Sequence, residues 1–275
     1  MPLWPAAWPN NRKNATVNAL RYGTIWTRFT GKGTMRLPAN WERFLEPYIN
    51  IDDFYLRLDA FCAAYPLIIP APRRIFHVFE RVAPEEARVV LFGEDPYPRR
   101  ASANGIAFWD MEIRRWDDKT RGNSLKNMLK ALLTARGWCN YATPIAQCRA
   151  IANSRALPAP DGLFEYWLNQ GVFLLNTALT FSTAEDKKHH FAFWRVFHSH
   201  VIAALNARDI GSPFYILWGN KAAGWEEVIR RNLDNPDKII RQGHPTFIHQ
   251  FMDKNRPHWS PFTEIEQKTG FAWLP

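Results

Sequence analysis

Four short apolar runs punctuate the chain, each succeeded by polar or glycine-bearing sequence. They are 88–92 (RVVLF), 172–175 (VFLL), 214–217 (FYIL) and 238–241 (KIIR). Unbroken apolar runs of this length suit strands covered on both faces, as in a parallel sheet. Between them lie stretches with apolar residues at helical spacing. These are 124–133 (SLKNMLKALL), which opens on a capping serine, then 193–207 and 222–232. Strands alternating with helices predict an α/β protein, a three-layer α/β/α sandwich around a central four-stranded parallel sheet.

The residues after each run carry the candidate chemistry. The first run leads into Gly93-Glu94-Asp95-Pro96-Tyr97 and the second into Asn176-Thr177. The third leads into Trp218-Gly219-Asn220 and the fourth into Gln242-Gly243-His244-Pro245. Open α/β sheets bind ligands outside the carboxyl ends of their strands. Four loops bearing carboxylate, amide and imidazole groups are therefore predicted to meet at one cleft. A single Asp or His after a strand is commonly a turn former or a cap; it is the convergence that carries weight.

Composition narrows the chemistry. A length of 275 residues with 47% hydrophobic content suits one well-cored domain with an appendage. The net charge of +9 points to a polyanionic partner, nucleic acid foremost, against the plainer reading of a basic protein that simply stays soluble. Residues 1–36 differ from the rest, interleaving Trp4, Trp8 and Trp26 with Arg12, Lys13, Arg21, Arg28, Lys32 and Arg36. Such an extension either stacks on bases and neutralises phosphates or packs its indoles onto the domain at 37–275. The three cysteines form neither a disulfide framework nor a four-thiolate cluster, and no CxxC pair occurs. No cofactor and no metal are expected, and the compartment is expected to be a reducing cytoplasm. The opening MPLWPAAWPNNRKN lacks the layout of a signal peptide, and no apolar run reaches the roughly 18 residues of a membrane span. No GxxxxGK[ST] loop supports phosphoryl transfer. A two-carboxylate sugar hydrolase fits the basic excess poorly.

In their order, the loops resemble family-1 uracil-DNA glycosylases. The family's GQDPYH loop is matched by GEDPYP at 93–98, and its GLAF segment by GIAF at 105–108, with thirteen residues from Asp95 to Phe108. The LLLN strand end corresponds to Leu174-Leu175-Asn176, LLWG to ILWG at 216–219, and SLKN to 124–127. HPSPLS is matched loosely by HPTFIH at 244–249. The similarity spans roughly 37–275. It implies a uracil-DNA glycosylase-like fold and a monofunctional, cofactor-free DNA glycosylase. Such an enzyme flips a pyrimidine out of DNA and hydrolyses its bond to the sugar, leaving an abasic site. It further implies a monomer, nucleoid-associated if bacterial, and a DNA-mimicking inhibitor protein as a partner.

The resemblance also assigns roles. Asp95 would stabilise the oxocarbenium-like sugar and orient a water, and His244 would donate to the departing base at O2. Phe108 would stack on the flipped ring, Asn176 would read its Watson–Crick edge, and Tyr97 would exclude a C5 methyl group. Backbone N–H groups near Glu94 and Tyr97 would help to hold the base. Ile248, preceded by Phe247, falls at the family's wedge position, and an ordinary core contact is the plainer role for it. Ser124, Gly219, Asn220 and Thr246 correspond to its phosphate-pinching loops.

Departures from the pattern leave the base open. Glu94 replaces Gln, Pro98 replaces His, Gly122-Asn123-Ser124 replaces a Pro-Pro-Ser loop, and Thr246-Phe247-Ile248 replaces Ser-Pro-Leu. The chain is also longer around 137–160, where Arg149 and Arg155 are placed either to meet a phosphate or base substituent or to decorate a surface excursion. Tyr97 argues for uracil. The altered loops argue for a modified pyrimidine, such as the hydroxymethylated or glucosylated cytosine of phage DNA, and hence for antiviral defence. Asn176 reads either base according to how its amide is turned. A catalytically silent DNA-binding module is the alternative from another class, against which Asp95 and His244 count. A third is partner recruitment by the Trp-rich arm.

Overall fold

The computed structural model describes residues 35–119 and 122–275. Apart from Met35 and Arg36, the Trp-rich extension lies outside the described residues. Four strands form the sheet: β1 (Val89–Gly93), β2 (Val172–Asn176), β3 (Phe214–Trp218) and β4 (Ile239–Gln242). All three pairings are parallel and the order is β2-β1-β3-β4. Every residue of β1 and β2 is buried, which is why their sequences are apolar without alternation. The chain leaves β1 for β2 on one side, then crosses to β3 on the other. The switch in direction falls beside β1, where open sheets of this kind bind their ligands.

The longer helices are α1 (Ala39–Leu45), α2 (Ile51–Ala63), α3 (Ser124–Ala135), α4 (Ile145–Ser154), α5 (Pro160–Asn169), α6 (Lys187–Asn206) and α7 (Pro261–Thr269). Aromatic side chains fill both layers of core. On one face Trp41 of α1 stacks on Phe173 of β2 at 5.2 Å, and Phe54 of α2 stacks on Phe197 of α6 at 4.6 Å. On the other, Trp167 of α5 and Phe262 of α7 gather around Trp273, with Phe262 also against Trp218 of β3. Buried indoles usually find a partner for their N–H. Trp41 Nε1 donates to Val82 O at 2.9 Å and Trp167 Nε1 to Trp273 O at 2.8 Å. The three-layer sandwich expected from the alternation is present.

Two helices differ from the periodicity. The stretch 222–232 is not one helix but two short ones, Gly219–Ala223 and Glu226–Arg230. Between them Trp225 turns inward and stacks on Phe92 at 5.9 Å, so burying one indole outweighs helical continuity. α6 starts at Lys187 rather than at 193, because its first turn (KKHH) is polar and hides the apolar period.

The extra segment at 137–160 closes onto the fold. α4 buries Cys148 and Ala152, Trp116 Nε1 donates to Pro158 O at 2.9 Å, and Tyr141 N donates to Pro257 O at 2.8 Å. Each of its two arginines makes a contact within the chain, although Arg155 is exposed. Arg149 donates to Asp118 O at 3.3 Å, and Arg155 lies 4.1 Å over the Trp138 ring. Among the described residues, no helix is long and apolar enough to cross a membrane.

Candidate active site

A pocket of about 120 Å³ opens at the carboxyl edge of the sheet, far larger than the ~10–15 Å³ that admits one water. Its lining includes Glu94, Asp95 and Tyr97 from the loop after β1, Phe108 from the next segment, Ser124 at the head of α3, Asn176 at the end of β2, and His244 after β4. Three of the four predicted loops thus supply side chains to one cavity. The fourth, after β3, acts from behind. Gly219 has φ +79°, and a Cβ there would stand 2.7 Å from the Cβ of His244, so only glycine lets the imidazole sit where it does. Gly93 has the same relationship with Asn176: a Cβ would fall 2.4 Å from Oδ1 of the amide.

Asp95 is mostly buried, with 15% of its side chain exposed. Burial raises its pKa above the ordinary carboxylate value, and a lysine opposes that rise. This is Lys187, on the first turn of α6, whose Nζ lies 3.1 Å from Asp95 Oδ2 and 2.9 Å from Glu94 Oε1. No sequence motif singles out Lys187. The one signal for it is Glu94, an added carboxylate beside Asp95 that calls for a nearby cation.

His244 is held as a neutral donor. Its Nδ1 accepts from the backbone N–H of Thr246 at 3.1 Å, which leaves the ring proton on Nε2. Burial lowers its pKa, with Glu94 pulling the other way. The loop that carries it is tied to α3 through Ser124 Oγ and Thr246 Oγ1, 2.8 Å apart, and through Asn127 Nδ2 donating to Pro245 O at 2.7 Å. Asn176 is anchored through its carbonyl, which accepts from Nε2 of the fully buried His198 at 2.8 Å. Burial lowers the His198 pKa to about 4, so that imidazole is neutral as well.

Phe108 adopts φ +66°, a left-handed conformation costing a residue with a side chain on the order of 1–3 kcal/mol. Tyr97 Oη donates to Phe108 O at 3.2 Å, and the Phe108 ring meets Trp218 edge-on at 5.5 Å. Burial pushes the Tyr97 phenol above its ordinary pKa, so it stays a protonated donor. Strain held by such contacts is characteristic of a working site. At the rim, Phe247 is 50% exposed, whereas Ile248 opens the short helix Ile248–Phe251 and packs against the core. Asn220 is exposed on the helix after β3. Among the described residues, no group of three or more His, Cys, Asp or Glu side chains is placed to hold a metal ion.

Known proteins are similar to this chain. The family described as the uracil DNA glycosylase superfamily matches residues 79–265. The uracil-DNA glycosylase of Exiguobacterium sibiricum is 35% identical over 198 residues, which are 70% of this chain and 78% of that protein. That of Fusobacterium nucleatum is 32% identical over 214 residues, 77% of this chain and 82% of the relative. The crystal structure of wild-type UNG from Nitratifractor salsuginis superposes with a TM-score of 0.61 at 26% identity, covering 87% of this chain and 90% of that one.

Proposed function

Because this chain belongs to the uracil DNA glycosylase superfamily, a family of DNA N-glycosylases, we propose that it excises uracil from DNA by hydrolysis through the pocket at the sheet's carboxyl edge. The observation that carries this reading is that Asp95, Asn176, Phe108 and His244 line one ring-sized cavity.

In this mechanism the flipped base stacks on Phe108 and meets the Asn176 amide, which accepts from N3–H and donates to O4. The C1′–N1 bond lengthens and positive charge grows on the sugar. The ionised Asp95 carboxylate stabilises that charge and orients the attacking water. The base leaves as an anion and its O2 accepts from Nε2–H of His244. A neutral imidazole suffices for this, because it donates a hydrogen bond rather than a proton. Water then adds to C1′, its proton passes to Asp95 or solvent, and an abasic site remains. Removing one well-placed donor of this kind costs about 10²–10³ in rate.

Uracil is the base the residues support best. Tyr97 stands against C5 in this reading, tethered through its hydroxyl to the strained Phe108. Arg149, which a larger substituent would have to recruit, already donates to Asp118 O, and Arg155 lies over the Trp138 ring. Ser124, Thr246, Gly219 and Asn220 face the phosphates on this account. Phe247, rather than Ile248, enters the vacated stack, since the exposed ring is the one free to leave the protein surface. The enzyme works as a monomer in the cytoplasm.

The test is a panel of oligonucleotides carrying uracil, thymine, 5-hydroxymethyluracil, cytosine, 5-hydroxymethylcytosine and glucosylated 5-hydroxymethylcytosine, scored for abasic sites. Release of uracil above all others supports the reading. Preferred release of a modified cytosine would replace it with the antiphage role. Binding with no release from any substrate would make the protein a silent DNA-binding module. Inhibition by a DNA-mimicking glycosylase inhibitor would identify the same DNA-binding face.

A further inference from the structure

We propose that Lys187 is a positioning residue for Asp95, held in place by Glu94, and that the pair keeps the pocket's charge at that of a single carboxylate. The proposal rests on the glycosylase reading and adds to it a residue that the family resemblance does not supply.

The chemistry needs one negative charge under the sugar. Glu94 stands where the family pattern has a neutral glutamine, so this pocket holds two adjacent carboxylates. Two neighbouring carboxylates resist ionising together, and Glu94 adds to the rise that burial imposes on the Asp95 pKa. Lys187 Nζ lies between them, 2.9 Å from Glu94 Oε1 and 3.1 Å from Asp95 Oδ2. The charges of Glu94, Asp95 and Lys187 then add to minus one, the same as glutamine and aspartate alone. The geometry also orients the catalytic group. Lys187 engages Oδ2, which leaves Oδ1 for the water and the sugar.

The other charged groups near Asp95 do not replace this contact. Lys221, on the short helix after β3, lowers the Asp95 pKa less than Lys187 does. His244, on the loop after β4, is neutral, with its Nδ1 occupied by Thr246. Lys187 reaches the site because α6 begins on a polar turn directed at the β1 loop, and both Lys187 and Lys221 flank the Phe191 ring at 5.7 and 5.9 Å.

The experiment compares single-turnover uracil release by the wild-type chain, Lys187→Met, Glu94→Gln and the double variant from about pH 5 to 9, together with DNA affinity and thermal melting. Lys187→Met is expected to slow release and to move the acid limb of the profile up by about one pH unit or more, with affinity little changed. Glu94→Gln is expected to move that limb down. The double variant is expected to recover most of the rate, because the charge it leaves is again that of Asp95 alone. Lys187→Arg is expected to keep the wild-type limb. A Lys187→Met profile identical to wild type, or a double variant no better than Lys187→Met, would overturn the proposal. Asp95→Asn separates the two levels. If it still releases uracil, the site assignment itself fails. If it is inactive while Lys187→Met behaves as wild type, only the role of Lys187 falls.

Discussion

The backbone N–H of Thr246 points at Nδ1 of His244, 3.1 Å away. That single contact decides the tautomer, and the tautomer decides what the imidazole can do. With Nδ1 accepting, Nε2 carries the hydrogen and faces the cavity as a donor. Burial lowers its pKa and so favours the neutral ring. His244→Ala is therefore expected to slow single-turnover release by about 10²–10³, with little change in DNA affinity. Gly219→Ala is expected to mimic part of this loss by pushing the ring aside, since its new methyl group would meet the His244 Cβ.

Tyr97 sets the other boundary of the pocket. Its side chain is pinned to the Phe108 carbonyl, and Phe108 is itself held in a left-handed backbone conformation. Tyr97→Ala is expected to open the C5 side and to confer release of thymine, measured on thymine-containing oligonucleotides, with uracil release reduced through a less ordered Phe108. A variant that still rejects thymine would remove Tyr97 as the discriminating group.

Phe247 and Ile248 make opposite predictions although they are adjacent. Base–aromatic stacking is worth about 1–3 kcal/mol, so Phe247→Ala is expected to impair release from duplex DNA roughly five- to 150-fold more than from single strands. Ile248→Ala is expected to act on the fold instead. Its side chain packs against the core, so a loss of about 1–2 kcal/mol, below the range for fully buried positions, is expected in a urea titration.

Much of this architecture is legible in the sequence because the sheet is buried on both faces. Continuous apolar runs have few alternatives, and each of the four is followed closely by polar or glycine-bearing sequence, so the loops emerge together with the strands. The strand limits move only by a residue: β1 runs to Gly93, which pairs with Asn176. Lys187 is not legible because its role depends on a contact across the fold, and its helix opens on a polar turn without an apolar period. The wedge position is hard to read for a related reason. Alignment to the loosely matched 244–249 segment points to Ile248, but which of two adjacent apolar side chains faces solvent depends on where the short helix Ile248–Phe251 begins. The insertion arginines are ambiguous because a cation on a loop and a cation over an indole read alike in one dimension.

Two buried histidines give the protein a dependence on acid. His198 and His190 have their pKa lowered to about 4 by burial, against about 6.5 in an unfolded chain. Between those values the unfolded chain binds the protons and the folded one does not, so stability falls as pH drops through that window. Each pKa unit corresponds to about 1.4 kcal/mol. The urea midpoint is expected to be flat above about pH 6.5 and to fall steeply toward pH 4. His198→Gln is expected to be less stable at neutral pH and less sensitive to acid. A midpoint unchanged from pH 7 to 4.5 would show that neither imidazole is buried as described.

The negative charge on Asp95 is the centre of the proposed mechanism. Asn keeps the shape of the side chain and removes its charge, so Asp95→Asn isolates the electrostatic role. Single-turnover release and equilibrium binding on the same uracil-containing duplex would be measured side by side. The expected result is binding within a few-fold of wild type and release slowed by at least about 10²–10³. Release at the wild-type rate would contradict the account.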